Sequence, residues 1–278
     1  MPITDSPLRY PGGKTKLYYK VQPIIEQLLP HNNRVYIEPY AGGAGLALKL
    51  LYKGDVNRLI LNDFDDHIFS FWNTCLNDSD SLCNMIDNCA VDINEWKKQK
   101  EIYNNSVSYS RLDNAFATLF LNRCNVSGII EGGPIGGMEQ KGTYKLNARF
   151  NKNELIRKIK RVELYRDQIE FYNMDAVVFL NQIGVRADTK SSFINLDPPY
   201  VKKGPMLYHN SYSKEDHIKV AETVTKLKHK WMITYDECDF IRELYKGFLM
   251  EVVSLGYSAG KVKKGNELII YNKELVDR

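Results

Sequence analysis

Residues 192–200 read Ser-Phe-Ile-Asn-Leu-Asp-Pro-Pro-Tyr, and no stretch of the chain restricts its fold more. The apolar run has the composition of a strand, and it stops at Asp197. Proline carries no amide N–H and disfavours the helical region for the residue before it, so Pro198 and Pro199 end the pairing and hold Asp197 extended. Three other short apolar runs, 34–38, 58–63 and 168–175, also end in an acid: Glu38, Asp63 and Asp175. Helical patterns follow at Leu46–Leu51 and Ala176–Gln182, and another runs from Lys16 to Leu29. Strands alternating with helices demand an α/β fold, in which ligands bind at the carboxyl ends of the strands. Apolar runs at 231–235, 250–253 and 268–271 are expected to complete the sheet.

The residues at those strand ends suggest the ligand. Asp197 and a carbonyl of Pro198 or Pro199 can each accept one hydrogen of an exocyclic amine while Tyr200 stacks on a planar ring. Two fixed acceptors would draw off the charge that a conjugated amine gains on attack. The structural alternative is a stiffened strand end whose Asp197 caps the next helix. After the strand at 34–38 comes Tyr-Ala-Gly-Gly-Ala-Gly (40–45), a glycine turn that lets backbone approach a ligand at a helix N-terminus. Asp63, about 20 residues on, suits the two hydroxyls of a ribose. This much fits a dinucleotide or S-adenosyl-L-methionine (AdoMet) equally. Asp175 is placed either to accept from a cofactor's adenine amine or to cap the helix from Ala176. Near the N-terminus, Gly12-Gly13-Lys14-Thr15 resembles a P-loop, but the glycine required five residues earlier is Leu8. Tyr10 and Lys14 are better read as a stacking ring and an ammonium that meets a carboxylate, against an ordinary helix start.

With 278 residues, 44% of them hydrophobic, the chain can bury a large core and carry an insertion. No apolar run approaches the ~20 residues of a membrane span, and Met1–Asp5 lacks a signal-peptide pattern, so a cytoplasmic protein with no membrane partner is expected. Five cysteines without a Cys-x-x-Cys support neither disulfides nor a zinc site, and no metal is expected. The net charge of +4 is mild, but it is concentrated. Between Lys141 and Arg166 the bases are opposed only by Glu154 and Glu163. This run follows a buried helix at Asn114–Asn122 and a long glycine-rich loop at 123–137. Such a loop with Tyr144, Asn147 and Arg149 suits phosphates and base edges, whereas Arg157 to Arg166 suits a solvated helix face.

Tyr10-Pro-Gly-Gly-Lys14, Glu38-Pro-Tyr-Ala-Gly-Gly, Asn62-Asp63, Asn122-Arg123, Gly142-x-Tyr144 and Asp197-Pro-Pro-Tyr200 together, in this order, resemble the Dam-type DNA adenine-N6 methyltransferases. The resemblance implies a Rossmann-like AdoMet-dependent methyltransferase sheet with helices on both faces, over 1–70 and 156–278. It also implies an inserted, mainly helical and loop target recognition domain over 71–155. Catalysis would fall to Asp197, Pro198, Pro199 and Tyr200. AdoMet contacts would fall to Tyr10, Lys14, Glu38, Pro39, Ala41, Gly42, Gly43, Gly45, Asp63, Asp175 and Asp197. Contacts to double-stranded DNA would come from Asn122, Arg123, Asn125, Lys141, Tyr144, Lys145 and Arg149. A monomer or weak dimer in a bacterial or phage-infected cytoplasm is expected, with a cognate restriction endonuclease as candidate partner. Tyr10 stands where many members have tryptophan, and the Gly132–Gly137 insert leaves the target sequence open. The alternatives are another amine (cytosine-N4, RNA or protein) or a nicotinamide-dependent oxidoreductase, which leaves Asp-Pro-Pro-Tyr unexplained.

Overall fold

The computed structural model describes residues 4–9, 13–201, 212–257, 263–272 and 275. Tyr10, and the Tyr208–Ser211 part of the segment after Tyr200, lie outside the described residues. The chain divides into two compact units, one of Met1–Gly13 with Asp65–Asp167 and one of Lys14–Phe64 with Gln168–Arg278.

The second unit carries the sheet. Its strands are β1 (Val35–Glu38), β2 (Arg58–Asn62), β3 (Ile169–Tyr172), β4 (Ser192–Leu196), β5 (Lys230–Asp236), β6 (Leu249–Tyr257) and β7 (Lys263–Tyr271). Among the described residues they run in the order β3-β2-β1-β4-β5-β7-β6. The first five are parallel and β7 is antiparallel to both neighbours. The order reverses between β1 and β4, so a crevice opens at their carboxyl ends, where Glu38 and Asp197 sit.

The helices of this unit are α1 (Tyr18–Leu28), α2 (Gly45–Lys53), α8 (Ala176–Arg186), α9 (Lys214–Val224) and α10 (Asp239–Leu244). Side chains alternate along a strand, so each strand serves both faces of the sheet. Val35 and Ile37 of β1, Ile194 and Leu196 of β4, and Trp231, Ile233 and Tyr235 of β5 pack with Phe179 of α8, Val220 of α9 and Ile241 of α10 in one apolar cluster. The alternate positions turn the other way, toward the face covered by α1 and α2, and several are polar: Tyr36, Glu38, Asn195, Thr234 and Glu267. The sheet is therefore a mixed, Rossmann-like one with helices on both sides.

The first unit is helical. It contains α3 (Asp66–Asn77), α4 (Ser79–Asn88), α5 (Ile93–Asn104), α6 (Arg111–Cys124) and α7 (Lys152–Leu164). A capping box between Ser110 and Asp113 starts α6, whose Ala115 to Leu121 are at most 1% exposed. The other four helices wrap this central one or one another. On α7, Leu155, Ile159 and Val162 are buried while Arg157 pairs with Glu154 and Lys160 with Asp80 and Glu163, the solvated face expected of that basic run. Packing of α7 on α3 and α4 keeps it in this unit, whose bounds fall after Gly13, Phe64 and Asp167. No described helix is long and apolar enough to cross a membrane.

Candidate active site

At the head of the sheet, Asn62 ties three strand ends together. Its amide donates to the carbonyls of Pro39 and Met174, both at 3.0 Å, and its oxygen accepts from the Met174 N–H. Its own carbonyl takes the Ala41 N–H at 2.9 Å, which bends the chain after β1 into the glycine turn. Gly42 there has φ 46°, a conformation costly for a side-chain-bearing residue, and its N–H donates to Asp63 Oδ2 at 2.7 Å. Gly43 is buried beside it. Ala44, the residue before α2, also has a positive φ, and its methyl side chain cannot cap the first turn of the helix. A Cβ on Gly45 would stand 2.7 Å from Thr15 Oγ1, so a larger residue there would force Thr15 to shift.

Asp63 and Asp175 lie beyond the ends of β2 and β3. Asp175 Oδ1 accepts from the N–H groups of Val177 and Val178, so the capping role is realised and Oδ2 is left over. Phe64, which the sequence reading passed over, is 60% exposed next to Asp63. Helix N-terminus, close-approach glycine, carboxylates and exposed aromatic form a donor and acceptor set that suits a nucleoside.

Asp197 sits at the end of β4, where five consecutive residues are buried. Its Oδ1 accepts from Thr234 Oγ1 at 2.7 Å and its Oδ2 lies 2.9 Å from Lys14 Nζ. Among the described residues each carboxylate oxygen thus has one such partner, and a carboxylate oxygen has a lone pair for a further donor. The carboxylates that Lys14 meets belong to the protein, because Glu267 Oε1 lies 3.4 Å from the same ammonium. Tyr200 OH donates to Glu267 Oε1 at 2.6 Å, and Lys14 Nζ lies 5.0 Å from the centre of the Tyr200 ring. Pro198 is buried and Pro199 half-buried between these groups. Burial raises the Glu267 carboxyl against the opposing pull of Lys14. Deeper on the same face, Tyr36 OH donates to Glu38 Oε1 at 2.7 Å. Burial pushes Glu38 up to about 8, although Tyr36 and Asn195 both hydrogen-bond to it. The Glu38 carboxyl is held buried on this face by those two side chains.

In the helical unit, two residues expected at DNA take another position. Asn122 is fully buried: its oxygen accepts the Arg9 N–H at 2.7 Å, and its amide donates to the carbonyls of Arg9 and Gly128. Asn125 is buried too, accepting from Trp96 Nε1 and donating to carbonyls at 129, 130 and 132. Their amides are spent on fixing the loop, so in this arrangement neither side chain can reach a nucleic acid. Arg123 is half-buried, with Nε on the Pro7 carbonyl, and burial with Arg9 nearby lowers it to about 10. Arg9 is lowered by burial and by Arg149, and among the described residues its Nη1 has no hydrogen-bond partner. Lys158 is lowered by burial and by Arg123. Arg123 is thus repelled by Arg9, Arg149 and Lys158, while Glu154 offsets the repulsion at Arg123 and Lys158. Tyr144 is 66% exposed, and Lys141 and Lys145 are exposed on the same loop, Lys141 paired with Glu139 and Lys145 bonded to the Gln140 carbonyl.

Sequence reasoning missed Thr234, Glu267, Phe64 and Arg9. The signal for Glu267 was present, an acid heading the apolar run Leu-Ile-Ile-Tyr in a strand read only as completing the sheet. For Thr234 no signal was available, since a threonine in a strand is ordinary.

The Type II methyltransferase M.MjaIII of Methanocaldococcus jannaschii is 24% identical over 294 residues, which cover 95% of this chain and 98% of that protein. The Type II methyltransferase M.CviBI of Paramecium bursaria Chlorella virus NC1A is 24% identical over 261 residues, covering 87% and 86%. Among solved structures, the rRNA methyltransferase aviRa from Streptomyces viridochromogenes aligns over 96% of this chain and 88% of its own, at 12% identity and a TM-score of 0.46. A family model, D12 class N6 adenine-specific DNA methyltransferase, matches residues 10–257, from the motif before Lys14 through the Asp-Pro-Pro-Tyr strand end and into β6. Since that match spans most of the chain and both units, the protein belongs to the D12 class of N6 adenine-specific DNA methyltransferases.

Proposed function

We propose that the enzyme uses S-adenosyl-L-methionine to methylate the N6 amine of an adenine extruded from duplex DNA, within one short target sequence. The observation that carries this reading is Asp197, fixed through both oxygens by Thr234 and Lys14 yet retaining acceptor capacity at the open end of β4. Asp197 and the Pro198 carbonyl take the two amine hydrogens, and Tyr200, tied by its hydroxyl to Glu267, stacks on the base. The amine lone pair is thereby released from conjugation and the charge growing on nitrogen meets a preorganised acceptor. When bound, AdoMet supplies an electrophilic methyl group on a sulfonium, attacked in line by the amine. Asp63 would hold its ribose, Phe64 its base, and the Gly42–Gly45 turn with the N-terminus of α2 would let backbone approach it. Lys14, Glu38, Pro39 and Ala41 shape the floor of that pocket, and Asp175 Oδ2 is the remaining acceptor.

In the helical unit, Arg9, Arg123, Arg149 and Lys158 supply a cationic field for phosphates, with Lys141, Lys145 and Tyr144 on the exposed loop. Extruding the base costs a few kcal/mol of stacking and pairing, which contacts of this kind offset. The enzyme is taken to act as a monomer or weak dimer in the cytoplasm. Type II relatives make a restriction endonuclease its candidate partner.

The test is methyl transfer from isotopically labelled AdoMet to unmethylated DNA by wild type and Asp197→Ala. The variant should bind both ligands yet lose about 10²- to 10³-fold in turnover, the scale of one preorganised polar group. Near-normal turnover would refute the assignment.

A further inference from the structure

Glu267 takes no part in the chemistry described above, yet it sits at the centre of the polar face. It lies on β7, paired with Asp236 of β5, and its side chain is 0% exposed. An ionisable group is costly to bury unless charges and hydrogen bonds compensate it. Here Oε1 receives the Tyr200 hydroxyl and approaches Lys14, and among the described residues Oε2 has no hydrogen-bond partner. Lys14 in turn lies 2.9 Å from Asp197 Oδ2. One ammonium is therefore divided between two carboxylates, and one carboxylate oxygen is shared between the ammonium and the Tyr200 ring's hydroxyl.

That arrangement has an electrostatic consequence. An ammonium given wholly to Asp197 would cancel the negative charge that faces the substrate amine. During attack, positive charge moves onto the amine nitrogen, so the centre works best with a net negative field. A second carboxylate behind Lys14 restores that field and draws the ammonium partly away from Asp197. The same oxygen fixes the Tyr200 hydroxyl and so the angle at which the ring meets a base.

We infer that Glu267 is a positioning residue for methyl transfer, acting through Lys14 and Tyr200. The inference rests on the role proposed for Asp197. Glu267→Gln removes the charge while its amide oxygen can still accept from Tyr200. The expected result is a kcat lower by about ten- to a hundredfold, with KM for AdoMet and for DNA within about threefold of wild type and no loss of thermal stability. Glu267→Asp, which keeps the charge, should recover a measurable part of kcat. Wild-type kcat in Glu267→Gln would overturn the inference. So would a loss carried by KM or by melting temperature, or equal losses in the Gln and Asp variants. Label found in a base other than adenine would overturn the substrate reading while the kcat comparison still decided Glu267. A wild-type enzyme that transfers no methyl group to DNA would overturn both.

Discussion

Replacing Lys14 by methionine should expose how tightly the polar face is balanced. The Lys14 side chain is 6% exposed and lies between Asp197, 21% exposed, and Glu267, 0% exposed. Methionine fills most of the volume, so the loss is chiefly of charge. It leaves two carboxylates facing each other with no cation between them. Removing one partner of a buried ion pair costs about 3–5 kcal/mol, and partial solvent access at Asp197 argues for the lower end, about 3 kcal/mol. For a chain of this size that corresponds to a melting temperature lower by roughly 6–12 °C. The deficit should depend on pH with a definite sign. Burial already raises Glu267, and losing Lys14 raises it further, so the folded variant binds more protons than its unfolded chain. Its stability relative to wild type should therefore fall as pH rises above the ordinary carboxylate range and recover on acidification. Urea denaturation of both proteins without ligands, at several pH values, measures this. A change under about 1 kcal/mol at neutral pH, or a deficit that widens on acidification, would refute the reasoning.

Other perturbations test the remaining parts. Glu38 is pushed up to about 8, far above its unfolded value of 4.5, so folding takes up a proton between those values and stability falls as pH rises through that window. Glu38→Gln should remove a slope of up to ~1.4 kcal/mol per pH unit, read from denaturation midpoints between about pH 5 and 8. Gly45→Ala should cost about 1–3 kcal/mol by driving a Cβ into Thr15, and Thr15→Ala in that background should recover much of it. Asn122→Ala should destabilise the helical unit by about 2–3 kcal/mol and weaken DNA binding without changing its salt dependence. Arg149→Ala, by contrast, should lower the slope of binding against salt by about 1, as expected when one phosphate contact is lost.

Much of the sheet was legible because its strands are short apolar runs closed by acids, glycine or proline, signals that depend on local chemistry alone. The Asp197 strand end, the glycine turn and Asp63 fall where that chemistry puts them, at the carboxyl ends of β4, β1 and β2. What was not legible depends on pairing between distant segments. The antiparallel insertion of β7 between β5 and β6 brings Glu267 to a lysine far away in sequence, and no local pattern encodes that register. Asn122 and Asn125 show the converse problem. Polar residues in a glycine-rich loop look available for recognition, but fixing such a loop consumes amides that replace missing backbone pairings. His217, for its part, is buried with Nδ1 3.2 Å from Tyr235 OH.

The central claim is that the Asp197 strand end activates an adenine amine. It is tested most directly by expressing wild type and Asp197→Ala in cells lacking other DNA methylation, then identifying and mapping every modified base in their DNA. N6-methyladenine at one short recurring sequence is expected with wild type, and unmodified DNA with the variant. Methylated cytosine, or the same adenine methylation from Asp197→Ala, would contradict it.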